Sequence, residues 1–545
     1  MKPILLTLAL FNFLCASAQQ SVTPADIATG EKLFDLSFTQ AKRDSMLTAL
    51  TDRIKIYNYF HKNGLSNDAP FPLWYSPVLP GMKIPKKQLP VRFAIPENVA
   101  LPTNKADLAF YSIPQLASLI KHKKITSVAL TQFFIDRLKQ HGEALHCVIE
   151  ITESIAIQQA KKADAEIAKG IYKGPLHGIP YGIKDLFAVK GTKTTWGIPP
   201  NKNQTIDQTA FVAEQLEKAG AVLIAKLSLG ELAMDDVWFG GKTRNPWDTA
   251  QGSGGSSAGS ASATAAGLVP FAIGTETYGS IVDPSMRCGV TGLRPTYGSI
   301  AKTGAMNLAW TSDKIGPICR SAEDAAIVFN FIHGADRGDA SSIDAAFNYT
   351  GKTDIRKLKI AYAKNYIDTL AESSTEKQTL AVLKKMGAKL TAFTFPDDMH
   401  GDEILGLIVS AEAAAAFDPL TRSGVDDQLV QQNKDRWPNI FRSARFIPAV
   451  EYITACRLRY QIMQKVDPLL DQFDIIIAPP ETGDQLAITN LTGNPSITLP
   501  NGILPNGMPA SISFIGQHFG EATLLAFAKI YQQSTGFHLK HPAHF

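Results

Sequence analysis

Gln251-Gly252-Ser253-Gly254-Gly255-Ser256-Ser257-Ala258-Gly259-Ser260 runs directly into small residues at 261–267 and then into the apolar stretch 269–273. By composition alone the first ten residues are a flexible linker. Their flanks oppose that, because a glycine-rich turn feeding a small-residue helix inside a core brings backbone NH groups and hydroxyls close to a ligand. Apolar runs resembling 269–273 recur at 222–225, 358–361 and 475–478. Short, nearly continuous runs of this kind are strands buried on both faces. Helical patterns lie between them at 209–219, 322–332, 374–386 and 520–534. The expected fold is therefore α/β, a single large mixed β-sheet sandwiched between helices.

Toward the N-terminus, amphipathic helices are expected at 114–121, 127–141 and 152–169. Ahead of them a helical pattern at 35–61 leads into 63–101, broken by Pro70, Pro72, Pro77, Pro80, Pro85, Pro90 and Pro96. A stretch so rich in proline holds no core of its own, and is expected to lie against the main body. The chain thus reads as a segment 1–18, a helical and Pro-rich arm 19–107, and a catalytic portion 108–545. Residues 4–14 are largely apolar behind Lys2 and lead to Ala16-Ser17-Ala18, the pattern of a cleaved export signal. Lipid attachment at Cys15 is the alternative, opposed by the bulky Leu14. The apolar run is too short to span a bilayer, and no later stretch approaches the roughly 20 apolar residues needed, so no stable membrane insertion is expected.

The 545 residues are 45% hydrophobic and 19% charged, a globular balance, and the formal net charge is +4. Its densest basic cluster, Lys121-His122-Lys123-Lys124, is too small for a nucleic-acid footprint. Cys147, Cys288, Cys319 and Cys456 are widely spaced and form no C-x-x-C pattern. The histidines show no H-E-x-x-H or similar spacing, so neither a metal nor another cofactor is expected.

Two further segments carry chemistry. In Gly274-Thr275-Glu276-Thr277-Tyr278-Gly279-Ser280, glycines bracket a second serine, and such a turn can be an ordinary β-turn or an oxyanion hole. In Gly178-Ile179-Pro180-Tyr181-Gly182-Ile183-Lys184-Asp185, a lysine ends an apolar stretch. Desolvation lowers the pKa of such a lysine and lets it act as a base. An ion pair with Asp185 is the ordinary alternative.

Together with 255–260, 274–281, 288–298 (Cys-Gly-Val-Thr-Gly-Leu-Arg-Pro-Thr-Tyr-Gly) and 174–180, these segments resemble the amidase signature family. Arg244-Asn245-Pro246-Trp247-Asp248 and Asn490-Leu491-Thr492-Gly493-Asn494-Pro495 resemble it too, and the likeness runs from about Ala109 to the C-terminus. The resemblance implies that Ser280 is the nucleophile, Ser256 the bridging serine 24 positions earlier, and Lys184 the base acting through Ser256. It also implies that the backbone NH groups of Thr277, Tyr278, Gly279 and Ser280 hold the oxyanion. The reaction is then the conversion of a carboxamide to a carboxylate plus ammonia or amine, on a small-molecule or peptide amide, without histidine or metal. The form Thr-Glu-Thr-x-Gly-Ser-Ile-Val resembles the branch that includes bacterial peptide amidases.

This chain departs from the common pattern at Glu276, usually Asp, whose charge partner stays open, and at Tyr278, Val282 and Asp283. Substrate specificity is expected from the variable segments 337–357 and 397–448. The main expectation is an exported, free-standing amide hydrolase. An amidotransferase A-like subunit working on charged transfer RNA is opposed by the export signal. A catalytically inert binding protein on the same fold is opposed by the retention of Lys184, Ser256 and Ser280.

Overall fold

Eleven short segments build one mixed sheet in the computed structural model, which describes residues 22–62, 66–69, 73 and 75–545. They are β1 (Val148–Ile151), β2 (Pro180–Lys184), β3 (Val222–Leu227), β4 (Phe271–Glu276), β5 (Thr291–Arg294), β6 (Lys314–Cys319), β7 (Ile360–Ala363), β8 (Leu390–Phe393), β9 (Ile475–Ala478), β10 (Ser496–Ile503) and β11 (Pro509–Gly516). Their spatial order is β1-β3-β2-β4-β6-β5-β10-β11-β9-β7-β8. The pairs β2/β3, β2/β4, β9/β7 and β7/β8 are parallel and the others antiparallel, so the sheet is mixed as expected. Every residue of β2, β3, β4 and β6 is buried, as continuous apolar runs covered by helices on both faces require.

The helices that cover the sheet start where hydroxyl side chains can cap them. Thr126 accepts from the Ala129 NH at the start of Ser127–Leu145, and Ser321 from the Asp324 NH at the start of Ala322–Ile332. Their apolar faces, including Phe134, Leu138, Val328 and Phe329, join one large core with strand residues such as Ile183, Ile224 and Ile273.

Contacts divide the chain into two units at Leu65 and Ser66. The first contains the helices Pro24–Glu31 and Gln40–Lys62, tied together by two 2.8 Å hydrogen bonds from Arg43 to Glu31. Beyond Ser66 the proline-rich stretch packs within the second unit, as its lack of a core demands. Asn67 and Asn307 exchange hydrogen bonds of 2.9 Å, and Gln88 bonds the Phe347 backbone at 2.9 and 2.8 Å. Tyr75 lies beneath the Arg459 guanidinium, 3.4 Å from its ring centroid, and donates to the Thr492 carbonyl. The expected export segment 1–18 lies outside the described residues. Among the described residues, no helix is long and apolar enough to cross a membrane.

Candidate active site

Strand β2 ends in Lys184, held between the parallel neighbours β3 and β4. Its side chain is fully buried and its Nζ donates to three hydroxyls: Ser256 Oγ at 2.8 Å, Thr275 Oγ1 at 2.9 Å and Ser257 Oγ at 3.1 Å. Burial holds the Lys184 ammonium well below its ordinary pKa, although Asp313 and Glu276 pull the other way. Once neutral, the amine donates to two of these hydroxyls and turns its lone pair to the third, which makes it a competent base.

Asp185 points elsewhere, because successive side chains of an extended chain face opposite sides. Its carboxylate meets Lys226 Nζ at 2.7 Å with both side chains fully buried, and accepts from the Thr195 NH at 2.7 Å. The ordinary ion-pair alternative for Lys184 is thereby answered, since its neighbour is matched to Lys226. Removing one member strands a buried charge at a cost of about 3–5 kcal/mol. Lys226→Met should therefore lower the thermal unfolding midpoint, and Asp185→Asn combined with it should recover part of the loss. A double variant less stable than Lys226→Met would contradict this assignment.

The glycine-serine segment is a tight turn rather than a linker. It passes from a short ribbon (Asp248–Gly252) into the small-residue helix Ala258–Ala265, and the Gly255–Ser256 peptide is cis. Any side chain at Gly255 would collide with the Asp235 carbonyl, since its Cβ would lie 1.8 Å from that oxygen. Ser257 ties the turn to β4, accepting from the Thr275 NH at 3.1 Å and donating to the Thr275 carbonyl at 3.0 Å.

Beyond Glu276 the chain turns sharply through Gly279, at φ +82°, to Ser280. The Ser257 NH donates to the Ser280 carbonyl at 3.2 Å, bringing the two serine turns together. Ser280 is 8% exposed and its hydroxyl has no hydrogen-bond partner among the described residues. The NH groups of Thr277, Tyr278, Gly279 and Ser280 likewise donate to no acceptor among the described residues, which leaves four adjacent donors available.

The turn folds around the buried Glu276 carboxylate. One oxygen accepts from the Ile281 and Val282 NH groups at 2.9 and 3.0 Å, and the other from Arg294 and Asn490, both at 3.0 Å. Burial works against this charge, but Arg294, Lys314 and these hydrogen bonds hold the carboxyl down at about 2. Thr277 donates to Asp313 at 2.6 Å, which fixes the other side of the turn.

The structure places Lys184 and Ser256 in contact, and it adds Ser257, Thr275 and Asp313, which the sequence did not single out. The charge partner of Glu276 was within reach, because Arg294 and Asn490 both stand in segments already singled out. Of the two variable segments, 397–448 borders the site, where Tyr278 OH donates to Asp402. Segment 337–357 packs instead against the proline-rich stretch and Glu323, with Tyr349 OH donating to Glu323 at 2.5 Å.

The amidase family model matches residues 129–525. Among curated relatives, the A-type subunit of glutamyl-tRNA(Gln) amidotransferase from Coxiella burnetii is 34% identical, over 79% of this chain and 99% of that protein. The protein of the same name from Geobacillus kaustophilus is 33% identical over the same shares. Among solved structures, native peptide amidase from Stenotrophomonas maltophilia has a TM-score of 0.72 at 27% identity, covering 81% of this chain and 99% of that one.

Proposed function

Because this chain belongs to the amidase family, we propose that it hydrolyses a linear carboxamide through an acyl-Ser280 intermediate. The observation carrying this reading is the buried, hydroxyl-bound Lys184 beside the turn that presents Ser280. Neutral Lys184 takes a proton from Ser256 as Ser256 takes one from Ser280, whose oxygen attacks the carbonyl carbon. The free NH groups of 277–280 receive the oxyanion, an interaction worth about 3–4 kcal/mol per donor in comparable sites. On collapse the C–N bond breaks and the leaving nitrogen takes the proton back through Ser256. Water, deprotonated along the same route, then attacks the acyl ester, and as the C–O bond breaks Ser280 regains the proton through Ser256.

Two substrate settings share this chemistry. A free-standing hydrolase of small or peptide amides is supported by the likeness to peptide amidase. A glutaminase subunit within an amidotransferase is favoured by the names of the curated relatives. Ammonia release by the purified chain alone, across peptide, aryl, aliphatic and glutamine amides, separates them. Turnover of simple amides without a partner supports the first. Activity confined to glutamine, and only with an added partner protein, supports the second, and no release in either setting would overturn the hydrolase reading.

The first setting includes export with removal of residues 1–18, motivated by Ala16-Ser17-Ala18 behind an apolar run. Intact-mass measurement on periplasmic material should give a chain beginning at Gln19. A mass retaining Met1, or carrying lipid on Cys15, would sink it.

A further inference from the structure

We propose that Asp283 is a positioning residue for the bridging serine, fixing through the Gly255 amide the turn that carries Ser256. This rests on the Lys184, Ser256 and Ser280 reading above. Asp283 lies in the first turn of the helix Val282–Cys288, three residues beyond Ser280. Its Oδ2 accepts from the Gly255 NH at 2.7 Å, and its Oδ1 accepts from Arg287 Nε one turn further on. The Asp283 side chain is 17% exposed and Arg287 is 52% exposed, so the arginine orients the carboxylate from the solvent side.

The turn needs such a hold. Gly254 and Gly255 bring no side chains to pack, so the position of the turn is set by what its amides donate to. The Gly254 NH donates to Asp236 Oδ2 at 3.3 Å and the Gly255 NH to Asp283, so two carboxylates from different parts of the chain hold consecutive amides. A hydrogen bond to an ionised acceptor is the stronger kind.

Asp283 also acts on the other serine turn, because its own NH donates to the Gly279 carbonyl at 2.8 Å. One residue thus closes the Ser280 turn with its backbone and clamps the Ser256 turn with its side chain. Together with the Ser257 NH bond to the Ser280 carbonyl, this sets the spacing between the two hydroxyls. A displacement of about 1 Å in such a spacing can cost about a hundredfold in rate.

The test uses the purified full chain and the rate of covalent labelling by a fluorophosphonate probe, which reads the nucleophilicity of Ser280 without a known substrate. Asp283→Ala should slow labelling about tenfold or more, while Asp283→Asn, whose amide oxygen still accepts from Gly255, should stay within about threefold of the parent. On a Ser256→Ala background, where there is no bridging hydroxyl left to position, Asp283→Ala should add less than about threefold. Thermal midpoints identify folded variants, and Asp283→Ser, too short to reach Gly255, replaces Asp283→Ala in the cycle if the latter does not fold.

An unchanged rate in Asp283→Ala, an equal fold-loss in both backgrounds, or Asp283→Asn as slow as Asp283→Ala would each overturn the proposal. If Ser256→Ala itself labels at the parent rate, the bridging-serine reading fails with it. That result is distinct from a slow Ser256→Ala beside an unaffected Asp283→Ala, which defeats the clamp alone.

Discussion

Ser280→Ala is expected to abolish fluorophosphonate labelling and to lower amide turnover by about 10⁵- to 10⁶-fold, the scale seen when the nucleophile of a serine hydrolase is removed. The hydroxyl makes no hydrogen bond among the described residues, so its loss leaves the fold's own bonding intact. The thermal midpoint should therefore hold, and the rate loss will report chemistry. The free NH groups of 277–280 also survive the substitution and sustain residual catalysis above the uncatalysed rate. Ser256→Ala removes only the relay and should leave more activity than Ser280→Ala. Continued labelling of Ser280→Ala, with labelling lost in a variant at another serine, would displace Ser280 as nucleophile.

Lys184→Ala should suppress turnover by several orders of magnitude, because Nζ is hydrogen-bonded to the Ser256 hydroxyl proposed to relay the proton. The pH behaviour follows from the direction of its shift. Burial lowers the Lys184 pKa, so the neutral base is present above that depressed value and is lost as pH falls through it. The parent enzyme should accordingly show an acidic limb in kcat/KM that vanishes or moves in a Lys184 variant retaining measurable activity.

The same shift links to stability. Between the depressed folded pKa and the ordinary unfolded value the unfolded chain binds the extra proton, so this residue makes stability rise with pH across that window. In Lys184→Met the rise should be shallower. An acidic limb unchanged in every active Lys184 variant would assign the base elsewhere.

The part of the sheet that the sequence displays is the part built from continuous apolar residues. Runs such as Ile475–Ala478 stand out because nothing in them is polar. β10 and β11 escape that reading although they lie mid-sheet, because Ser496, Thr498, Ser511 and Ser513 are buried hydroxyls. Thr498 and Ser513 satisfy each other across the ladder at 2.9 Å, a pairing invisible to hydropathy. β5 is hidden likewise, since its fully buried Arg294 is paired with Glu276. The helix at Ala322–Ile332 was legible to the residue, with its apolar face and capping Ser321 both adjacent in sequence.

The same distinction governs the site. Lys184, Ser256 and Ser280 each lie in a segment that reads ambiguously alone, and they were singled out by the resemblance of several motifs taken together. Ser257 and Thr275 become partners of Lys184 only when three separate strands and turns converge, and Asp283 accepts from an amide 28 positions earlier.

The missing side chain at Gly255 has a consequence for how such a protein can change over generations. With a carbonyl oxygen 1.8 Å from where a Cβ would sit, no alanine can drift into that position without moving the backbone of Asp235. The turn at Gly255 is closed to a larger side chain at its centre, whereas Tyr278 is 39% exposed and donates its hydroxyl to Asp402 of the neighbouring segment. A substitution at Gly255 must therefore move backbone, whereas one at the Tyr278 and Asp402 edge meets side chains that are free to turn aside.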